Sequence, residues 1–160
     1  MSARDRLAGK ARRRTTVSVA LQDATEAAAA VAEAERAVYL AQAAGEETGE
    51  INRLGDVVEA AQAALDACHV TVEFQALAPA EWEGQQLDFV GKDGGIDQEK
   101  WQQNLPLLAA ACAVDEDLQD EDFWREQLTG GTWSFGEVIA LGRKLLSLNT
   151  SGPDARVPFA

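Results

Sequence analysis

Histidine occurs once in this chain of 160 residues, as His69, and cysteine only twice, as Cys68 and Cys112. Without a CxxC pair or a second histidine there is nothing from which to build a zinc site. Neither a metal nor any other cofactor is expected. Both cysteines lie in apolar helical context and read as reduced, buried thiols. Long apolar runs are missing too, since none approaches the roughly 20 residues that cross a bilayer. The opening MSARDRLAGKARRRTT is basic but lacks the apolar stretch of a secretory signal, which points to the cytoplasm. There is no GxGxxG, no P-loop and no GxSxG. The glycines of GKDGG at 91–95 follow a helix rather than a strand and read as a plain turn. The chain is not expected to be an enzyme.

Positive charge is scarce. Lys and Arg number 14 against 27 Asp and Glu, a net charge of −13. What there is clusters at the start. Residues 1–14 hold six basic side chains against Asp5, a net +5, so the remaining 146 residues carry −18. A body that acidic repels nucleic acid and anionic membrane. Arg12, Arg13 and Arg14 form a candidate basic arm, expected to be disordered. Three uses stay open for it: a solvated tail, a nucleic-acid contact, or pairing with the acidic body of a neighbour. The run DEDLQDED at 115–122 reads as a solvated helix start whose carboxylates suit the helix dipole.

Alanine and periodic apolar residues carry the structure. TTVSVAL at 15–21 alternates, with Val17, Val19 and Leu21 on one side, and predicts a short strand. Residues 24–44 are Ala-rich and helical up to Gly45, with Asp23 or Thr25 as the cap. A second helix spans 48–67. Its apolar residues Ile51, Leu54, Val58, Ala61, Leu65 and Cys68 follow heptad spacing. Ala27, Val31, Ala34, Val38 and Ala41 give the first helix a matching stripe, so the two fold back as an antiparallel hairpin. HVTVEFQAL at 69–77 alternates Val70, Val72, Phe74 and Ala76 inward. The hairpin returns the chain to its start, so this strand pairs with 15–21. A two-stranded ribbon needs a cover, and the C-terminal half supplies it.

That half reads as four helices. Pro79 opens the first. Asp97 caps the second, and Pro106 is expected to break or kink it. A single short acidic helix follows, with Leu118, Phe123, Trp124 and Leu128 on its apolar face. The last helix starts near Trp133. The expected fold is therefore mainly α with a small two-stranded antiparallel ribbon: β-α-α-β, a helical hairpin between strands, then a four-helix C-terminal half. Its expected divisions are a basic disordered arm at 1–14, the strand–hairpin–strand at 15–77, a helical domain at 78–149 and a disordered tail at 150–160. Large aromatic residues anchor cores and interfaces alike. Trp82, Trp101, Trp124, Trp133 and Phe135 are the candidate protein-interaction residues. The exposed sides of the hairpin and a groove beside the last helix are the candidate docking surfaces.

The order of features in the second half resembles a known family. An aromatic-bearing strand runs into a tryptophan helix in VEFQALAPAEW. An apolar, small-residue helix meets an acidic turn in LPLLAAACAVDEDLQDED. A glycine–tryptophan step leads to a final helix ending in Leu-Asn in LTGGTWSFGEVIALGRKLLSLN. Together they look like the tail assembly chaperones of long-tailed, siphovirus-type bacteriophages that infect actinobacteria, over residues 15–150. GQQLDFVGKDGG stands where that family carries a proline pair.

The resemblance implies a non-enzymatic partner of the tape measure protein that keeps its helical segments soluble while tail tube proteins are recruited. It implies a place in the host cytoplasm during virion assembly and absence from the mature virion. It also implies a longer form made by programmed frameshift, for which codons of Val157-Pro158-Phe159 offer a slip sequence. Self-association through the hairpin is a further expectation. The alternatives are a structural virion or coiled-coil adaptor protein, and a nucleic-acid-binding regulator acting through the arm.

Overall fold

The structure, a computed structural model, describes residues 1–95 and 97–151. The expected tail beyond Ser151, with the slip sequence at 157–159, lies outside the described residues. The order is α1 (Ala3–Ala8), β1 (Arg14–Ala20), α2 (Thr25–Ala43), α3 (Thr48–Ala67), β2 (His69–Gln75), α4 (Pro79–Gln85), α5 (Gln98–Cys112), a 3-10 turn (Glu116–Leu118), α6 (Glu121–Thr129) and α7 (Phe135–Thr150). The fold is mainly helical with one two-stranded antiparallel sheet, in the strand–helix–helix–strand order that the sequence predicts.

Two compact units make up the chain. One consists of Met1–Val17 with the chain from Val72 onward, the other of Ser18–Thr71. The expected boundary lay at the outer ends of the ribbon, but it cuts across the middle of both strands. Leu21 donates its N–H to the Cys68 carbonyl at one end of the ribbon, and Ala76 donates to the Arg13 carbonyl at the other, both at 2.8 Å. The two bonds fit one register, with Val17 opposite Val72 and Thr15 opposite Phe74. Val72 and Phe74 are buried, whereas Leu21 and Val70, expected on the inward side, are exposed.

In the Ser18–Thr71 unit the predicted seam is observed. Val31, Ala34, Ala41 and Cys68 are buried, and Ile51, Leu54, Val58, Ala61 and Leu65 are half-buried. Gly45 turns the chain between the helices at φ +70°, a conformation that favours glycine.

In the other unit α5 is the central element. Trp101, Leu105, Leu108, Ala109 and Cys112 are buried against Phe74, Phe89, Trp124, Leu141, Leu145 and Leu148. The backbone around Ala113 extends the ribbon edge: Val114 donates to the Glu73 carbonyl at 3.1 Å, and Phe74 bridges Ala113.

Two expectations about this half are corrected. Of the break or kink expected at Pro106, the break is absent, since α5 runs through the proline. The proline removes the bond that the Gln102 carbonyl would accept. Gln102 is exposed, so water can serve that carbonyl, while the proline ring itself is buried. The single acidic helix is two pieces. Asp115 caps the 3-10 turn, and Asp120 then caps α6 by accepting from the Asp122 and Phe123 N–H groups. Two Asx caps in close succession give the backbone an alternative to one continuous helix.

The arm also differs from the expected disorder. Ala3–Ala8 is a helical turn with a capping box between Ser2 and Asp5. Arg12 makes a two-pronged contact with Glu81 at 2.9 and 3.4 Å, Arg13 donates to the Ser151 carbonyl, and Arg14 meets Glu73 at 3.1 Å. Exposed pairs of this kind add little to stability. They nevertheless give each arginine a partner on its own chain.

Candidate functional site

A groove of about 370 Å³ opens where the ends of three helices meet. The sequence at each end determines its shape. Asp97 accepts from the Lys100 N–H and starts α5 so that Gln98, Trp101 and Gln102 form one wall. At the end of α6, Leu128 and Thr129 form the second wall. Gly131, at φ +89°, turns the chain into Trp133. The third wall is the first turn of α7, with Phe135, Val138 and Ile139.

Ser134 fixes that third wall. Its hydroxyl accepts from the Glu137 N–H, while the Glu137 carboxylate accepts from the Ser134 N–H at 2.7 Å and hydroxyl at 2.8 Å. Those bonds, the backbone one first, hold the Glu137 carboxyl below its ordinary value of 4.5. The folded state therefore takes up this proton less readily than the unfolded chain. The stabilisation is present above about pH 4.5 and is lost as pH falls through the lowered folded value. Ser134→Ala is expected to cost about 1 kcal/mol, read in urea at pH 7. The difference from the parent should shrink below pH 4, and a pH-independent difference would refute this account of the cap.

Of the five predicted interaction residues, three line the groove. Phe135 is 63% exposed. Trp133 is half-buried and meets Trp124 edge to face with ring centres 6.4 Å apart. Trp101 forms the deep end, only 3% exposed, and its Nε1–H is buried without a hydrogen-bond partner. Its benzo edge faces Gly142, and Phe89 meets it edge to face at 5.5 Å.

The other two lie elsewhere. Trp124 is a core residue, 2% exposed, donating to the Leu118 carbonyl at 2.7 Å. Trp82 is half-buried on α4 and packs on the core. The arginines of the arm do not gather into a free basic patch, since Arg12 and Arg14 face glutamates.

Sequence reasoning missed two residues that shape this unit. Phe89 lies in the loop after α4. That loop is held by Lys100, which donates to Asp88 and to the Val90 carbonyl, and by Asn104, which donates to the Asp88 carbonyl. Asn149 accepts from the Leu77 N–H at 2.8 Å and donates to the Leu145 carbonyl, so it ties α7 to the chain leaving β2. The Leu-Asn ending of the last helix was the available signal for Asn149. Phe89 had none beyond its size.

Cys112 is buried beneath α7, and burial pushes its thiol above the ordinary value, as a structural cysteine requires. Among the described residues no group of three or more His, Cys, Asp or Glu side chains is placed to hold a metal ion. No helix among them is long and apolar enough to cross a membrane. Comparison with protein families, curated proteins and solved structures finds no match to this chain.

Proposed function

We propose that this protein is a non-catalytic tail assembly chaperone of a long-tailed bacteriophage. In this reading it binds apolar helical segments of the tape measure protein and keeps them soluble while tail tube subunits are recruited. It acts in the host cytoplasm and is left out of the finished virion, and a frameshifted longer form accompanies it.

The observation that carries the reading is the groove at the start of α7. An exposed Phe135 flanks the groove, and the buried Trp101 is among the residues that line it. An amphipathic helix laid in such a groove buries its apolar face. Support also comes from the resemblance in the order of features over residues 15–150. The internal pairing of Arg12 and Arg14 disfavours the nucleic-acid reading.

The test is co-expression with the long helical protein encoded downstream in the same gene cluster. That protein is expected in the soluble fraction only with this chain, and to co-purify with it. Phe135→Asp should abolish co-purification without shifting the melting temperature, because the side chain is largely exposed already. If the helical protein is equally insoluble with and without the chain, the chaperone reading falls. If the chain is instead found in purified particles, it is a virion subunit.

A further inference from the structure

The helical hairpin presents a second surface, in the other unit and independent of the groove. Its stripe of small residues accounts for α2 packing on α3 but leaves Tyr39 and Leu40 exposed, at 69% and 54%. Leu40 lines an open depression of about 620 Å³ beside the turn, with Leu54, Ala41 and Ala44 as its apolar floor and Glu46, Glu47 and Glu50 around it. Arg53 occupies Glu50 through two bonds, at 2.6 and 2.9 Å. Glu46 and Glu47 make no ion pair among the described residues.

The charge around this depression says what covers it. Ser18–Thr71 carries ten Asp and Glu side chains against Arg36 and Arg53, a net −8. A second hairpin brought face to face meets like charge, which costs association rate and affinity. A neutral apolar helix would leave Glu46 and Glu47 partly desolvated and unpaired, which is unfavourable. A cationic amphipathic helix satisfies both features, with its apolar side chains on Leu40 and Leu54 and a flanking Lys or Arg on the free glutamates.

We infer that the tip of the hairpin, at Leu40, Leu54, Glu46 and Glu47, is a docking surface for a cationic amphipathic helix of a partner protein. The inference rests on the hairpin alone and stands whether or not the groove reading holds. It gives the protein two sites of different character, one uncharged and one read by charge.

The test uses the full chain and a synthetic 18-residue helical peptide of leucine and lysine, with the lysines flanking the leucine face (about five turns). A control peptide has every lysine replaced by glutamate. Titration calorimetry should show binding of the cationic peptide only, weakened about fivefold between roughly 50 and 300 mM salt. Glu46→Gln with Glu47→Gln should weaken it about tenfold, and Leu40→Ser should remove it. Phe135→Asp should leave it unchanged, which separates this site from the groove. All four positions are exposed, and unchanged melting temperatures establish that the variants are folded.

Equal binding of the two peptides would overturn the inference, as would indifference to the glutamine pair. So would salt-sensitive self-association of the chain without peptide that is lost in the glutamine pair. In that case the occupant is the basic N-terminal segment of a second copy.

Discussion

Gly142→Ala is expected to destabilise the protein by about 3 kcal/mol or more, the upper range for overpacking a rigid core. In the interior of a helix, glycine to alanine ordinarily gains about 0.5–1 kcal/mol. Here the sign reverses. A Cβ built on Gly142 falls inside the van der Waals contact of Trp101 Cζ3 and Cη2 and lies 2.6 Å from Cε3. The indole is buried and flat, and Phe89 packs against it edge to face, so it cannot shift without disturbing its neighbours. Urea unfolding followed by tryptophan fluorescence reads the loss. Adding Trp101→Leu should recover part of it, because the two residues share one space and their effects do not add. A Gly142→Ala protein as stable as the parent would mean that α5 and α7 do not approach as closely as described.

Phe74→Ala is expected to cost about 3–5 kcal/mol, the range for emptying a fully buried aromatic site. Phe74 has no exposed surface and meets Trp124 with ring centres 5.8 Å apart. It lies where β2, the bridge to Ala113 and the floor of α5 converge, so backbone bonds on two sides oppose collapse into the cavity. All four tryptophans lie in the unit that contains Phe74. Their fluorescence should therefore report the full loss as a lowered urea midpoint. A loss below about 1 kcal/mol would show that the site relaxes freely, contrary to close packing.

The parts of this fold that depend on local pattern were legible in the sequence. Heptad spacing from Ile51 to Cys68 and the alanine-rich stripe opposite it define the hairpin, and the alternation at 70–76 defines the strand. Interactions distant in sequence were not legible. Four tryptophans of one chemical type divide into two buried residues, Trp101 and Trp124, and two half-buried ones. That division depends on which helix end lies above each ring. Pro106 carries a strong local signal to stop, yet its burial and an exposed Gln102 let the helix continue. The arm is basic and polar and so reads as disordered. It is held by glutamates 59 and 69 positions away in sequence, a pairing no local window contains. The groove itself was foreseen only as lying beside the last helix. Its walls come from α5, α6 and α7, and of the five aromatic candidates only Phe135 is exposed.

The hairpin enters and leaves through adjacent strands, and its helices meet along a seam that repeats every seven residues. Nothing at the foot, where Leu21 bonds Cys68, depends on how far the helices extend. One heptad added to each helix keeps the seam in phase and carries the tip outward by about 10 Å. The length of the hairpin can thus be set in whole-heptad steps, like notches on a ruler, while the bond at its foot keeps its place.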